Sequence, residues 1–200
     1  MRFTLLALFS LSASAFVTIA RADTITFATQ PGVTTFTQVS GHGTGDGLTG
    51  PAAGYQNVAY ANPVSGSQWV STDANGGDSQ VSITNYSDQF TLLPGESYSG
   101  TLSFMADDQV SILINDVEIF SDSDYAAFYS PITINLLPSY FREGVNTITL
   151  VDRNGAGPAA ADYAGTLQGT AVTPEPSSLM LLGTGALSAA AAMRRKMRMA

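Results

Sequence analysis

Val110-Ser111-Ile112-Leu113-Ile114-Asn115-Asp116-Val117-Glu118-Ile119-Phe120 decides the fold. Side chains of a strand alternate between its two faces, so Val110, Ile112 and Ile114 share one face and Ser111 and Leu113 the other. Asn115-Asp116 then interrupts the run. Both residue types tolerate positive φ, so a two-residue hairpin is predicted, leading into Val117–Phe120.

Working outward, the same period of two recurs. Ile25-Thr26-Phe27, Thr35-Phe36-Thr37-Gln38-Val39 and Val81-Ser82-Ile83 read as strands, as do Phe90-Thr91-Leu92 and Leu102-Ser103-Phe104. Pro131–Leu136 begins another. Past a turn at Gly144, Val145-Asn146-Thr147-Ile148-Thr149-Leu150-Val151 is the clearest strand of all. Asp152–Ala161 reads as a loop and Ala164–Val172 as a closing strand. The glycines of Gly41–Gly50 are too dense to hold a strand, so that segment is also predicted as a loop. Nothing from Asp23 to Val172 has helical periodicity. About eight to ten short strands with frequent turns imply an all-β antiparallel sandwich or jelly roll.

Composition narrows the function. The chain has 200 residues, 44% of them hydrophobic, with 19 glycines and 9 prolines, so it can build one β-domain with a real core. Between Asp23 and Pro176 the only basic residues are Arg142 and Arg153, while all sixteen acidic residues lie in that stretch. Such an acidic body repels a phosphate backbone, so nucleic acid is not an expected partner. The absence of cysteine excludes thiolate catalysis and thiolate metal sites.

Both ends carry addresses. Met1-Arg2 precedes an apolar run from Phe3 to Ala20, and Ala20-Arg21-Ala22 supplies small residues at Ala20 and Ala22 for signal peptidase. Residues 1–22 therefore read as a signal peptide with its own apolar helix, and 23–172 as the β-domain. At the other end, 173–200 place Pro174-Glu175-Pro176 before a hydrophobic helix from Ser177 to Met193. Arg194, Arg195, Lys196 and Arg198 close the chain. The prolines hold the motif extended, as a protease requires. An apolar stretch of about 17 residues is near the lower limit for a transmembrane helix. The basic cluster would stay cytoplasmic, leaving Pro-Glu-Pro on the outer face.

In this order, these three parts resemble the PEP-CTERM sorting signal. That resemblance implies an exported protein of a Gram-negative bacterium, anchored in the inner membrane as a precursor and then cut by exosortase. It also implies an association with exopolysaccharide and biofilm. A second resemblance lies in the body. Trp69-Val70-Ser71, Ala106-Asp107-Asp108 ahead of Asn115, Gly144-Val145-Asn146-Thr147-Ile148, and Tyr163-Ala164-Gly165-Thr166-Leu167-Gln168-Gly169 are similar to galactose-binding-like jelly-roll domains. In that pattern the hairpin reads Asn-Gly, whereas here Asp116 follows Asn115. The fold it implies includes carbohydrate-binding modules, though a fold does not by itself specify a ligand.

Candidate sites in the body are few. His42, the single histidine, lies in the glycine-rich segment without a nucleophile motif nearby, so a Ser-His-Asp triad is not indicated. Acidic residues sit mostly in turn contexts, where Asp caps local backbone rather than flanking a glycosidic bond. No enzyme activity is expected, a small hydrolase using paired carboxylates being the alternative. Asp73, Asn75 and Asp78 surround one turn, and Asp107-Asp108 forms another; both sets suit a hard cation such as Ca²⁺, the one metal the sequence suggests as a cofactor. Trp69, Tyr125 and Tyr129 are the aromatic candidates for stacking on extracellular polysaccharide, with Trp69 better suited to the core. Asn85-Tyr86-Ser87 matches a glycosylation sequon.

Overall fold

The computed structural model describes residues 23–40, 47–77, 81–123, 127–171 and 178–197. Twelve strands form in the order β1 Thr24–Ala28, β2 Thr35–Ser40, β3 Thr49–Pro51, β4 Ala53–Gly54, β5 Val70–Ser71 and β6 Ser82–Leu92. They continue as β7 Glu96–Asp107, β8 Gln109–Ile114, β9 Val117–Asp122, β10 Ile132–Leu136, β11 Gly144–Asn154 and β12 Ala160–Ala171. One sheet runs β10-β7-β12-β5-β4, with β1 also paired to β12; the other runs β3-β2-β6-β11-β8-β9. Every pairing in both is antiparallel.

The alternation read from the sequence is what packs the sheets together. Leu102, Phe104, Tyr163 and Leu167 of the first sheet and Ile112, Ile114, Ile148 and Leu150 of the second are buried in one core. Each such side chain contributes about 1.5–3 kcal/mol on burial. Phe27 and Phe90 stack between the sheets with ring centroids 4.8 Å apart. A polar tie crosses the same layer: the Tyr163 hydroxyl donates to Asp88 Oδ2 at 2.6 Å, and Thr34 Oγ1 donates to the same oxygen at 3.0 Å.

The hairpin forms as predicted, with Asn115 at φ 51° and Asp116 at φ 67°. Asn115 also fastens it to β11. Its Oδ1 accepts the Thr147 amide at 3.2 Å, and its Nδ2 donates to Asn146 Oδ1 at 2.8 Å.

Two expectations are corrected here. The loop predicted over Asp152–Ala161 is confined to residues 155–159, because β11 continues to Asn154 and β12 begins at Ala160. Asp152 and Asn154 occupy inward positions that alternation would give to apolar residues, so their polarity disguised the strand. Thr49 and Gly50, assigned to the glycine-rich loop, belong to β3; residues 41–46, with His42, lie outside the described residues.

The tail is a third correction. A helix, α1, covers Ser178–Met197, yet among the described residues no helix is long and apolar enough to cross a membrane. Gly183, Thr184, Gly185 and Ser188 dilute its hydropathy, and Arg194-Arg195-Lys196 continue inside the helix instead of following an apolar span of the ~20 residues usually required. Pro174, Glu175, Pro176 and Arg198 lie outside the described residues, as do Ala20 and Ala22.

Register fixes which end is which. Thr24 pairs with Gln168 and Ala171 with Glu96, so β1 begins and β12 ends at one end of the sandwich. Ala160 pairs with Asp107 at the other. At about 3.3 Å per residue, the two ends of β12 are separated by roughly 36 Å.

Close approach of β7 to β12 depends on Gly100, where a methyl group would run into the Thr166 carbonyl. Gly100→Ala is therefore expected to cost about 2–3 kcal/mol. Gly144→Ala, in open space at φ +81°, should cost only about 1 kcal/mol from backbone strain. Urea denaturation midpoints compared at constant slope would test this ranking.

Candidate functional site

The end of the sandwich opposite Thr24 and Ala171 gathers the unusual chemistry. Asp107 is the last residue of β7 and Asp108 lies between β7 and β8, joined to it by a cis peptide bond. Asp107 Oδ2 accepts the Tyr60 hydroxyl at 2.7 Å, and Asp108 Oδ2 accepts the Gly155 amide at 2.8 Å. Asp152 projects from β11 between Thr84 of β6 and Val110 of β8. It is 1% exposed, and both its carboxylate oxygens are buried without a hydrogen-bond partner. The Tyr86 hydroxyl is buried and unpartnered in the same way.

Electrostatics follow from this burial. Desolvation pushes the Asp107 carboxyl up to about 7; the Tyr60 hydrogen bond opposes the rise and the neighbouring Asp108 adds to it. Asp152 is raised well above the usual carboxylate range, first by burial and then by the charges of Asp107 and Asp108, with Arg153 acting the other way. Tyr60 is raised by burial and by its bond to Asp107, and Tyr86 by burial and the charge of Asp152.

Aromatic residues wall the same end. Tyr60, Trp69, Met105 and Ala160 form a second core cluster, with Tyr55, Val64 and Phe128 packed against it. The Tyr60 ring lies 4.5 Å from Trp69 and 5.6 Å from Phe128. Asp162 anchors the segment that carries Tyr60 and Trp69, accepting the Val64 amide at 2.7 Å and the Thr29 hydroxyl at 3.1 Å. Tyr60 therefore joins the aromatic cluster to the acidic corner.

The aromatic candidates separate by exposure. Trp69 is 1% exposed and its indole donates to the Ala61 carbonyl at 3.0 Å, which makes it a core residue with no face for a ligand. Tyr129 is 64% exposed, its ring centroid 4.1 Å from that of Phe128. Tyr125 lies outside the described residues. Tyr86 of the sequon is fully buried in β6.

The acidic candidates separate too. Asp73 Oδ1 accepts the amides of Asn75 at 2.7 Å and Gly77 at 3.1 Å, closing a local turn of the kind Asp commonly makes. Asp78 lies outside the described residues. Among the described residues no three His, Cys, Asp or Glu side chains are arranged to hold a metal ion by themselves. Sequence reasoning missed Tyr60 and Asp152. Asp152 had a signal: it continues the inward parity of Ile148 and Leu150, placing an acid where the pattern calls for an apolar residue.

With this geometry described, comparison adds the tail. Residues 172–196 match the PEP-CTERM protein-sorting motif.

The tail is a PEP-CTERM sorting signal. It marks an exported protein sorted by exosortase. Solved structures similar to this chain include a family 35 carbohydrate binding module from an environmental isolate (15% identity, TM-score 0.36, covering 57% of this chain and 82% of that one). CBM35 from Paenibacillus barcinonensis is similar at 15% identity and TM-score 0.35, covering 70% of this chain and 97% of that one. A β-D-glucuronidase from Dictyoglomus thermophilum is similar at 9% identity and TM-score 0.36, covering 72% of this chain and 28% of that one. Likenesses this distant transfer neither ligand nor activity. None of the curated proteins matches the chain.

The buried acids set a pH dependence. An acid whose pKa is raised on folding keeps a proton that the unfolded chain has already released, so stability declines as pH rises from about 4 through the folded value, about 7 for Asp107. The protein should be less stable at pH 7.5 than at pH 5, by on the order of 2 kcal/mol. Asp152→Asn should flatten that slope, as read by thermal melts at the two pH values.

Proposed function

We propose that this protein is a non-enzymatic component of the cell envelope or extracellular matrix, cut by exosortase and associated with exopolysaccharide. The observation that carries the reading is the sorting motif at 172–196, attached to the end of β12. A body held through that end would turn the Asp107–Asp108 end, roughly 36 Å away, toward the outside. Signal peptidase would act first, after Ala22. Exosortase would then act at Pro174-Glu175-Pro176, with α1 and Arg194, Arg195, Lys196 and Arg198 orienting the precursor at the inner membrane.

Intact mass of the protein recovered from its host, with and without exosortase, tests this sequence of events. Loss of residues 1–22 in both strains, with loss of the tail only where the enzyme is present, is the expected result. An identical C-terminal mass in both strains would overturn it.

A second reading, carbohydrate binding by the body, is supported by Tyr129, an exposed ring packed at a tilt against Phe128. Stacking of a sugar on Tyr129 is worth about 0.5–1.5 kcal/mol. Tyr129→Ala should therefore weaken retention on immobilised host exopolysaccharide about 3–10-fold without changing the melting temperature. No retention of the unaltered protein would end this reading and leave the sorting assignment intact.

A further inference from the structure

The edge of a β-sheet presents a row of unpaired backbone N–H and C=O groups, and proteins that stay single blunt it with charge, proline, a bulge or brevity. Several edges here are blunted in this way. β9 carries Glu118 and Asp122, and its pairing with β8 shifts register at Ile112/Leu113. β3 has three residues and ends at Pro51, and β4 has two. β10 and β1 have no such protection. Ile132-Thr133-Ile134-Asn135-Leu136 and Thr24-Ile25-Thr26-Phe27-Ala28 hold neither charge nor proline, and each pairs in unbroken register, β10 with β7 and β1 with β12. Among the described residues no strand pairs with the other side of either.

The two edges match each other. Across the ladders of β7 and β12, Thr133, Ile134, Asn135 and Leu136 stand level with Ala28, Phe27, Thr26 and Ile25 respectively. Three successive antiparallel pairings make β10 and β1 run in opposite directions. Side-chain parity agrees. Ile134 and Leu136 pack on the core, as do Phe27 and Ile25, whereas Asn135 and Thr26 are exposed on the outer face. A second copy in the same orientation, set beside the first, therefore brings its β1 antiparallel to β10, core-facing residues beside core-facing residues. In the opposite sheet β2 pairs with β6 at Ile83–Ser87, which displaces it toward the acidic corner from Phe90, the residue stacked on Phe27.

We propose that copies of this protein add edge to edge, β1 of one copy extending the sheet at β10 of the next. The two surfaces differ, so the contact does not close on itself, and its repetition gives an open filament wound by the twist of the sheet. A pairing this short is weak and accumulates only where copies are concentrated, as in a matrix. The bodies are acidic, with Arg142 and Arg153 their only basic residues, so salt that screens their repulsion strengthens the contact. Assembly of this kind goes beyond the sorting assignment and depends on neither exosortase nor glycan.

A chain without cysteine makes the test direct. In the proposed contact Thr26 of one copy lies opposite Asn135 of the next, and opposed Cβ atoms of an antiparallel pair are about 5 Å apart, within reach of a disulfide after a small adjustment. Within one chain the same positions are separated by three strand spacings, about 14 Å, too far to bridge. The purified full chain carrying Thr26→Cys and Asn135→Cys together, in a glutathione redox buffer at raised salt, should give linked dimers, trimers and longer species that reduction returns to monomer. Each substitution alone should leave the chain monomeric, and a mixture of the two single variants should stop at a mixed dimer. Asn135→Cys with Thr35→Cys, which moves the second thiol to an exposed position on the other sheet, should give no ladder; association through the tail helix would link this control equally. Melting temperatures matching the unaltered protein would show that the substitutions spare the fold. A monomeric double variant, a ladder as strong in the Thr35→Cys control, or dimers from Asn135→Cys alone as abundant as in the mixture would each overturn the proposal. Tail removal by exosortase is read separately by mass and would be untouched by any of these outcomes.

Discussion

The pairing of β12 with β7 is the constraint on which the rest of the molecule depends. Twelve consecutive residues of β12, Ala160 to Ala171, are matched to Asp107 through Glu96, so one ladder runs the full length of the sandwich. Its inward side chains, Tyr163 and Leu167 from one strand and Leu102 and Phe104 from the other, supply much of the core of the first sheet. Small residues make this close packing feasible. Gly100 admits the β12 backbone, and Gly165 lies under the Phe27 ring, which in turn stacks on Phe90 of the opposite sheet. The ladder also separates two kinds of chemistry, with the chain ends at Glu96 and the acidic corner at Asp107.

That corner is an exception to the economy of the remaining core. Most other interior polar groups among the described residues are paired, Glu96 Oε2 at the opposite end being an exception: Asp162 by Thr29 and Val64, Asp88 by Thr34 and Tyr163, Asn146 by the backbone around Arg142 and Gly144. Asp152 and Tyr86 are not. Buried polar groups without partners are rare because they forfeit hydration and gain nothing in return. These two lie beside two more carboxylates, at the end of the sandwich opposite Thr24 and Ala171. The aromatic cluster of Tyr60, Trp69 and Phe128 shields the corner from one side, and Tyr129 extends it to the surface.

The sequence by itself determined the fold class and the tail. Alternation at Val110, Ile112 and Ile114 and a turn pair able to adopt positive φ are local properties, so the strand pattern and the hairpin could be read without knowing any partner strand. The sorting motif is likewise linear, because an enzyme reads it as an extended segment. Tertiary structure decided what could not be local. It closed the Asp152–Ala161 loop down to residues 155–159, buried Trp69 under Tyr60, and turned Asp73 onto its own backbone. It also showed that Arg194, Arg195 and Lys196 continue the helix rather than follow a complete apolar span. Above all it brought Tyr60, the Asp107-Asp108 pair and Asp152 together from three distant parts of the chain. Burial and missing partners are properties of packing between strands, and no spacing along a sequence records them.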